Sequence, residues 1–190
     1  MKSRATEQKQ NTLDDRELLA LAHQCLEEGD ATGALAITSE ILEQDFSHLP
    51  ALEIQARSWW RMDRYTEALL VLDRLTAINP YEPGYYLLRG ACQQGLGRFG
   101  DAILSFERCA SMSDNADAKN ASQAMLALQG WQDCLIASML REDAMFRVEY
   151  NRSPREACES RGFAFVERPT LAPTVLMEQS AIAWAHKRPS

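Results

Sequence analysis

A chain of 190 residues, 46% of them hydrophobic, has enough apolar material to bury a compact core. Its net charge of −7 is unevenly spread: residues 14–117 carry 18 acidic and 8 basic side chains, and the remainder carries 9 and 12. An acidic body argues against nucleic acid, which needs a basic stripe to displace counterions, and no apolar run approaches the ~20 residues that cross a bilayer, so membrane insertion is not expected.

Residues 1–13 are polar and read as a flexible N-terminus. The stretch MKSRATEQKQNTLDD has no apolar run of the kind a secretory signal carries. The five cysteines, Cys25, Cys92, Cys109, Cys134 and Cys158, are an odd number without a CxxC pair. Several fall on helix faces where a small apolar residue would serve, so free buried thiols in a reducing compartment, and a cytoplasmic protein, are expected.

The first helix is predicted to start at Asp14-Asp15, whose carboxylates suit a helix N-terminus. From there the chain repeats. In Leu49–Glu82, Leu52, Ala56 and Trp59 share one helical face, and Tyr65, Ala68, Leu69, Leu72 and Leu75 share another. The turn falls near Asp63-Arg64, and Pro80, lacking a backbone N–H, closes the unit. A helical hairpin with one apolar side needs neighbours to cover it. Shifting the frame by 34 residues in either direction brings Asp15–His48 and Pro83–Ala116 into register. Small residues then align as Ala22, Ala56 and Gly90, and as Ala34, Ala68 and Ala102. Turn residues align as Gly29, Asp63 and Gly97. Bulky residues align as Leu18, Leu52 and Tyr86, and Ile41 and Leu75 align with the smaller Cys109.

This pattern resembles the tetratricopeptide repeat (TPR), which places a large residue, a small residue and an aromatic on its first helix and Ala, a large residue and Pro on its second. The middle copy matches with Leu52, Ala56, Trp59, Ala68, Leu72 and Pro80. The third matches with Tyr86, Gly90, Ala102 and Phe106, with Gln93 in the aromatic position and Asp114 in the proline position. The first matches with Leu18, Leu21, Ala22 and Ala34 and departs at Thr38 and Phe46. The resemblance implies an all-α solenoid of helical hairpins, coiled as a right-handed superhelix, with repeats at 15–48, 49–82 and 83–116.

After the polar connector SMSDNADAKN, residues 117–150 carry a helical stripe of Met125, Leu128, Leu135, Ile136, Met139 and Leu140. Two readings are open: one long helix capping the third hairpin, or a degenerate fourth repeat in which Arg141-Glu142-Asp143-Ala144 echoes Phe99-Gly100-Asp101-Ala102. Both give Trp131 and Leu135 a core role, because a solenoid end needs a cap. In residues 151–190, Ser153-Pro154-Arg155-Glu156 signals a short helix ended by Gly162. An extended apolar piece follows at Phe163, Phe165 and Val166, then breaks at Pro169 and Pro173. A last helix capped by Thr174 would carry Val175, Leu176, Ile182 and Trp184. This tail is too apolar for a solvated linker and is expected to dock on the repeats.

The sequence holds no catalytic constellation, so an enzyme is not expected. The glycines mark helix turns, and no Gly-rich phosphate loop precedes a lysine. His23, His48 and His186 are scattered, and His23 and Cys25 sit two apart on a helix, so no metal site or cofactor is expected. What remains is a surface. Glu53, Arg57 and Trp60 each lie one residue past the core row, rotated from it by about 100°. In tetratricopeptide arrays, that face of each first helix lines a concave groove. The resemblance therefore implies a groove of Arg16, Leu19, His23 and Leu26 from the first repeat, Glu53, Arg57 and Trp60 from the second, and Leu87, Ala91 and Gln94 from the third. Apolar anchors within a polar surround suit partner recognition. Trp60 packed under the tail or a neighbouring helix is the competing reading.

The expected function is an interaction module or adaptor that holds a peptide or helix of another protein, with Arg57 and Arg16 favouring acidic partners. The lysine- and asparagine-rich clamp of chaperone-tail-binding tetratricopeptide domains is missing from these positions. One alternative, resting on size and charge, is a chaperone similar to those of bacterial type III secretion. Another is a scaffold whose own tail occupies the groove. An oligomer is compatible with either.

Overall fold

The structure, a computed structural model, describes residues 14–165. The N-terminal segment 1–13, Val166 and the expected last helix after Thr174 lie outside the described residues. The chain divides into two compact units, Met1–Ile78 and Asn79–Ser190, and all regular structure among the described residues is α-helical.

The first unit holds α1 (Asp15–Glu28), α2 (Ala31–Gln44), α3 (Leu49–Arg61) and α4 (Tyr65–Ile78). The second holds α5 (Pro83–Gly95), α6 (Phe99–Met112), α7 (Ala116–Glu142), α8 (Ala144–Arg152) and α9 (Pro154–Glu159). First helices begin at 15, 49 and 83 and second helices at 31, 65 and 99, so both series keep the 34-residue interval. The array is a set of tetratricopeptide-type helical hairpins.

Local chemistry fixes these boundaries. Asp14 and Glu17 form a reciprocal capping box: the Asp14 carboxylate accepts the Glu17 N–H at 3.1 Å, and the Asp14 N–H donates to Glu17 Oε2 at 3.2 Å. His48 starts α3 through Nδ1, which accepts the Ala51 N–H, and Pro83 occupies the start of α5, where a missing N–H costs nothing. The three hairpin turns share one hydrogen-bond pattern. The N–H groups of Asp30, Arg64 and Arg98 each reach back five residues, to the carbonyls of Cys25, Trp59 and Gln93, at 2.8–2.9 Å. The N–H groups of Gly29, Asp63 and Gly97 close onto Leu26, Trp60 and Gln94. This is the Schellman closure, and it needs a left-handed residue. Gly29 and Gly97 have φ of 88° and 72°, and Asp63 takes the same region at 57° despite its Cβ.

The small residues admit the second helix of each hairpin. Ala22, Ala34, Ala56, Ala68 and Ala102 are all fully buried. Opposite them the third residue set runs Thr38, Leu72 and Phe106, each buried. Thr38 keeps its place in the core because its hydroxyl donates to the Ala34 carbonyl at 2.9 Å. In the third repeat the balance shifts to a larger residue: a Cβ on Gly90 would stand 2.4 Å from the Phe106 ring. Gln93, in the aromatic position, is buried and accepts the Ser105 hydroxyl at 2.6 Å. Phe46, in the closing-proline position of the first repeat, is exposed, and its carbonyl accepts a hydrogen bond from Arg74.

In the second unit α7 is a single helix of 27 residues packed against α5 and α6. It ends at Asp143, whose N–H donates to Met139 and whose carboxylate accepts the Phe146 N–H at 3.0 Å, so one residue closes α7 and caps α8. Arg147 donates to the last α7 carbonyls, of Leu140 and Arg141. Leu128, Ile136 and Leu140 are buried. Leu135 packs at the edge of the second core cluster. Trp131 does not take the full core role expected of it. It is 46% exposed: Phe99 meets it edge-on at 4.8 Å between ring centres and Phe163 of the returning chain at 6.5 Å, and the rest of the ring stays open.

That return is closed by a fourth turn of the same type. The N–H groups of Gly162 and Phe163 bond to the carbonyls of Glu159 and Cys158, with Gly162 at φ 77°. The Gly162 carbonyl then accepts the Gly100 N–H at the start of α6, and the Ala164 N–H donates to the buried Gln132 side chain at 2.8 Å. Phe163 is buried among Ile136, Leu140, Phe146, Ala157 and Cys158.

Candidate functional site

The groove residues expected from the sequence divide between the two units, and each part has its own geometry. In the first unit α1 and α3 pack directly on each other as neighbouring first helices. Arg16 and His23 on α1 and Arg57 on α3 are exposed, Leu19 and Glu53 are half-buried, and Trp60 keeps 39% of its surface open. Helical periodicity lines up Arg16, Leu19 and His23 on one row and Glu53, Arg57 and Trp60 on another.

Leu26 is a correction to that set. It is only 5% exposed and packs with Ala22, Ala31, Ala34 and Ile54. It lies three residues past His23 but also four past Ala22, and the buried row Leu18, Ala22, Leu26 claims it. Its carbonyl, at the end of α1, accepts a hydrogen bond from Arg61 of α3, so the two first helices are tied by a backbone-directed guanidinium. Trp59, the core-side neighbour of Trp60, is half-buried under the Arg64 guanidinium, 5.3 Å from its ring centre.

In the second unit Gln94 is exposed, while Leu87 and Ala91 are half-buried. Leu87 packs against the cluster built from Ala102, Ile103, Phe106, Ala121 and Leu128, so it contributes to holding α5 on its neighbours and offers little free surface. Among the expected groove residues, Trp60 is the large apolar side chain left most open.

The chemistry open to such a surface is recognition. Among the described residues no group of three or more His, Cys, Asp or Glu converges to hold a metal ion, and no helix is long and apolar enough to cross a membrane. The five cysteines are free. Burial pushes the Cys92 thiol up to about 12 and those of Cys109 and Cys158 up to about 11, which keeps them protonated and unreactive.

Two features escaped the sequence reading. Leu70 and Leu104, 34 residues apart on α4 and α6, are each 64% exposed; apolar residues at helical spacing read as core whichever way they face. A cleft of about 730 Å³ in the second unit is lined by α6, α7, α9 and the chain at Gly162–Phe165. Its walls come from segments some sixty residues apart, and no local pattern announces it.

No family model matches the sequence. The fold has solved counterparts. The first TPR domain of the human RPAP3 protein matches with a TM-score of 0.52 and 20% identity, over 59% of this chain and 92% of that domain. The first TPR of Spaghetti (RPAP3), bound to the HSP90 peptide SRMEEVD, matches equally, over 58% of this chain and 92% of that one. The O-GlcNAc transferase of Thermobaculum terrenum, in a mutant form, matches with a TM-score of 0.56 and 18% identity, over 66% of this chain. This chain spans only 25% of that enzyme. Likeness at this identity is likeness of fold, and with the 34-residue register and the shared hairpin turns it shows that the chain has the tetratricopeptide-repeat fold.

Proposed function

We propose that the protein is an interaction module whose first unit holds a peptide or helix of a partner on the face formed by α1 and α3. Trp60 is the apolar anchor. Arg57 and Arg16 select partners that present acidic groups, and His23, Leu19 and Glu53 form the surround. The observation that carries this reading is the exposure of Trp60: a large aromatic left 39% open on a first-helix face, where a polar residue would cost nothing. Burying the rest of that ring against a partner recovers apolar area. The first TPR of Spaghetti (RPAP3), bound to the HSP90 peptide SRMEEVD, is a precedent for peptide holding on this fold.

Affinity capture with the full chain from its native cell, with Trp60→Ala as the paired bait, tests this. An anchor of this kind is worth at least ~2 kcal/mol, roughly thirtyfold in affinity. Partners held by the wild type are expected to be lost from the variant while its helicity is unchanged. Equal recovery on both baits contradicts the assignment.

A further inference from the structure

The proposed partner face belongs to the first unit, and the cleft to the second. Ile103 and Leu104 of α6 form its apolar floor, and Leu104 is 64% exposed. Phe163 and Phe165 also line it, with the Arg155 guanidinium over the Phe165 ring at 5.2 Å. The charged lining is Asp101, Glu107 and Glu159 against Arg98 and Arg155. Both arginines are already engaged, Arg98 with Asp101 at 2.7 Å and Arg155 with Phe165 and Glu159. The rim is therefore weakly acidic, and Glu107 is its open carboxylate.

We propose that this cleft is the docking site for the chain's own residues 166–190. Three observations converge on that occupant. The first is connectivity: Phe165 lines the cleft, so residue 166 begins within one Cα–Cα step of it, ~3.8 Å. A segment tethered at the rim acts at an effective concentration in the millimolar range, so even a weak intrinsic affinity fills the site. The second is composition. Eleven of the 25 residues from Val166 to Ser190 are apolar, among them Leu171, Val175, Leu176, Ile182 and Trp184, close to the 46% of the whole chain. A solvated linker is poorer in such residues. The third is charge: the segment carries Arg168, Lys187 and Arg188 against Glu167 and Glu178, a net positive balance opposite in sign to that of the rim. The cleft volume of about 730 Å³ is in the range of a ligand pocket, so it takes a few side chains and leaves the rest of the segment on the surface beside α6.

The test uses the full chain with the photo-crosslinking residue p-benzoyl-phenylalanine in place of Leu104, and in a second protein in place of Leu70. Leu70 is the control because it is 34 residues earlier and equally exposed, but belongs to the first unit. After illumination at dilution, mass spectrometry of the monomer is expected to place the Leu104 adducts within residues 166–190 of the same chain, with loss of these adducts when the probe is at Leu70. A third protein, with the probe in place of Trp184, is expected to label α6 or α9. Comparable labelling of 166–190 from Leu70 overturns the proposal, because the segment then lies on the first unit. So do adducts found only between two copies, or no adduct from either Leu104 or Trp184 in proteins whose helicity matches the wild type.

Discussion

At the scale of single residues, the core works by matched pairs across each hairpin. The second repeat sets Ala56 against Leu72, and the third removes a methyl at Gly90 where Phe106 adds a ring. Glycine inside a helix costs up to ~1 kcal/mol relative to alanine, so Gly90→Ala gains propensity. It also drives a Cβ to 2.4 Å from a ring that is itself 1% exposed. Overpacking of this kind costs ~1–3 kcal/mol, and the ring has no free end to swing away, so the net effect is expected to be destabilising. Chemical denaturation should show Gly90→Ala below the wild type. The double variant Gly90→Ala with Phe106→Leu restores the pairing of the second repeat and should be more stable than the two single effects summed, by more than ~0.5 kcal/mol. A neutral Gly90→Ala, or strict additivity, would mean that the two positions do not share one space. The alignment of Gly90 with Ala22 and Ala56 was legible in the sequence, and so was its size. Its reason was not, because it lies on the next helix.

At the scale of elements, the hairpins were readable because many boundaries have a local cause: a carboxylate before α1, α2 and α5, a left-handed residue after each first helix, and the same interval each time. The register of both helix series follows. What local pattern missed is what depends on a distant segment. Leu26 satisfies the spacing of two faces at once, and only the packing of Ile54 against it decides for the core. Trp131 reads as core and remains 46% exposed, since its cover is two rings each about thirty residues away in the chain, Phe99 and Phe163. The returning chain also depends on one glycine. A Cβ on Gly162 would meet the Gly97 carbonyl oxygen at 2.7 Å, at a φ of 77°. Gly162→Ala adds left-handed strain of ~1–2 kcal/mol to that contact with a backbone atom. It is expected to lower the melting temperature and to free the Ala164 N–H from Gln132 in a hydrogen-exchange measurement. Unchanged protection at Ala164 would show that the return does not rest on this close approach.

At the scale of the whole molecule, the chain has two compact units and two kinds of exposed apolar surface, and they are assigned different work. The first unit leaves Trp60 open on α3, and exposes Arg16 and His23 on α1 and Arg57 on α3. The second presents a cleft at the point where the described chain ends. Trp60 stands open one helical turn past the exposed Arg57, a positive charge set against the acidic average of the chain, and on the proposed reading this favours acidic partners. The account stands or falls on whether that location matters. The most direct measurement is a titration of one captured partner against three full chains of equal helicity: wild type, Trp60→Ala and Leu70→Ala. The account predicts binding weakened by roughly thirtyfold or more for Trp60→Ala and unchanged for Leu70→Ala. Equal affinity for wild type and Trp60→Ala, or a loss as large at Leu70, would contradict it.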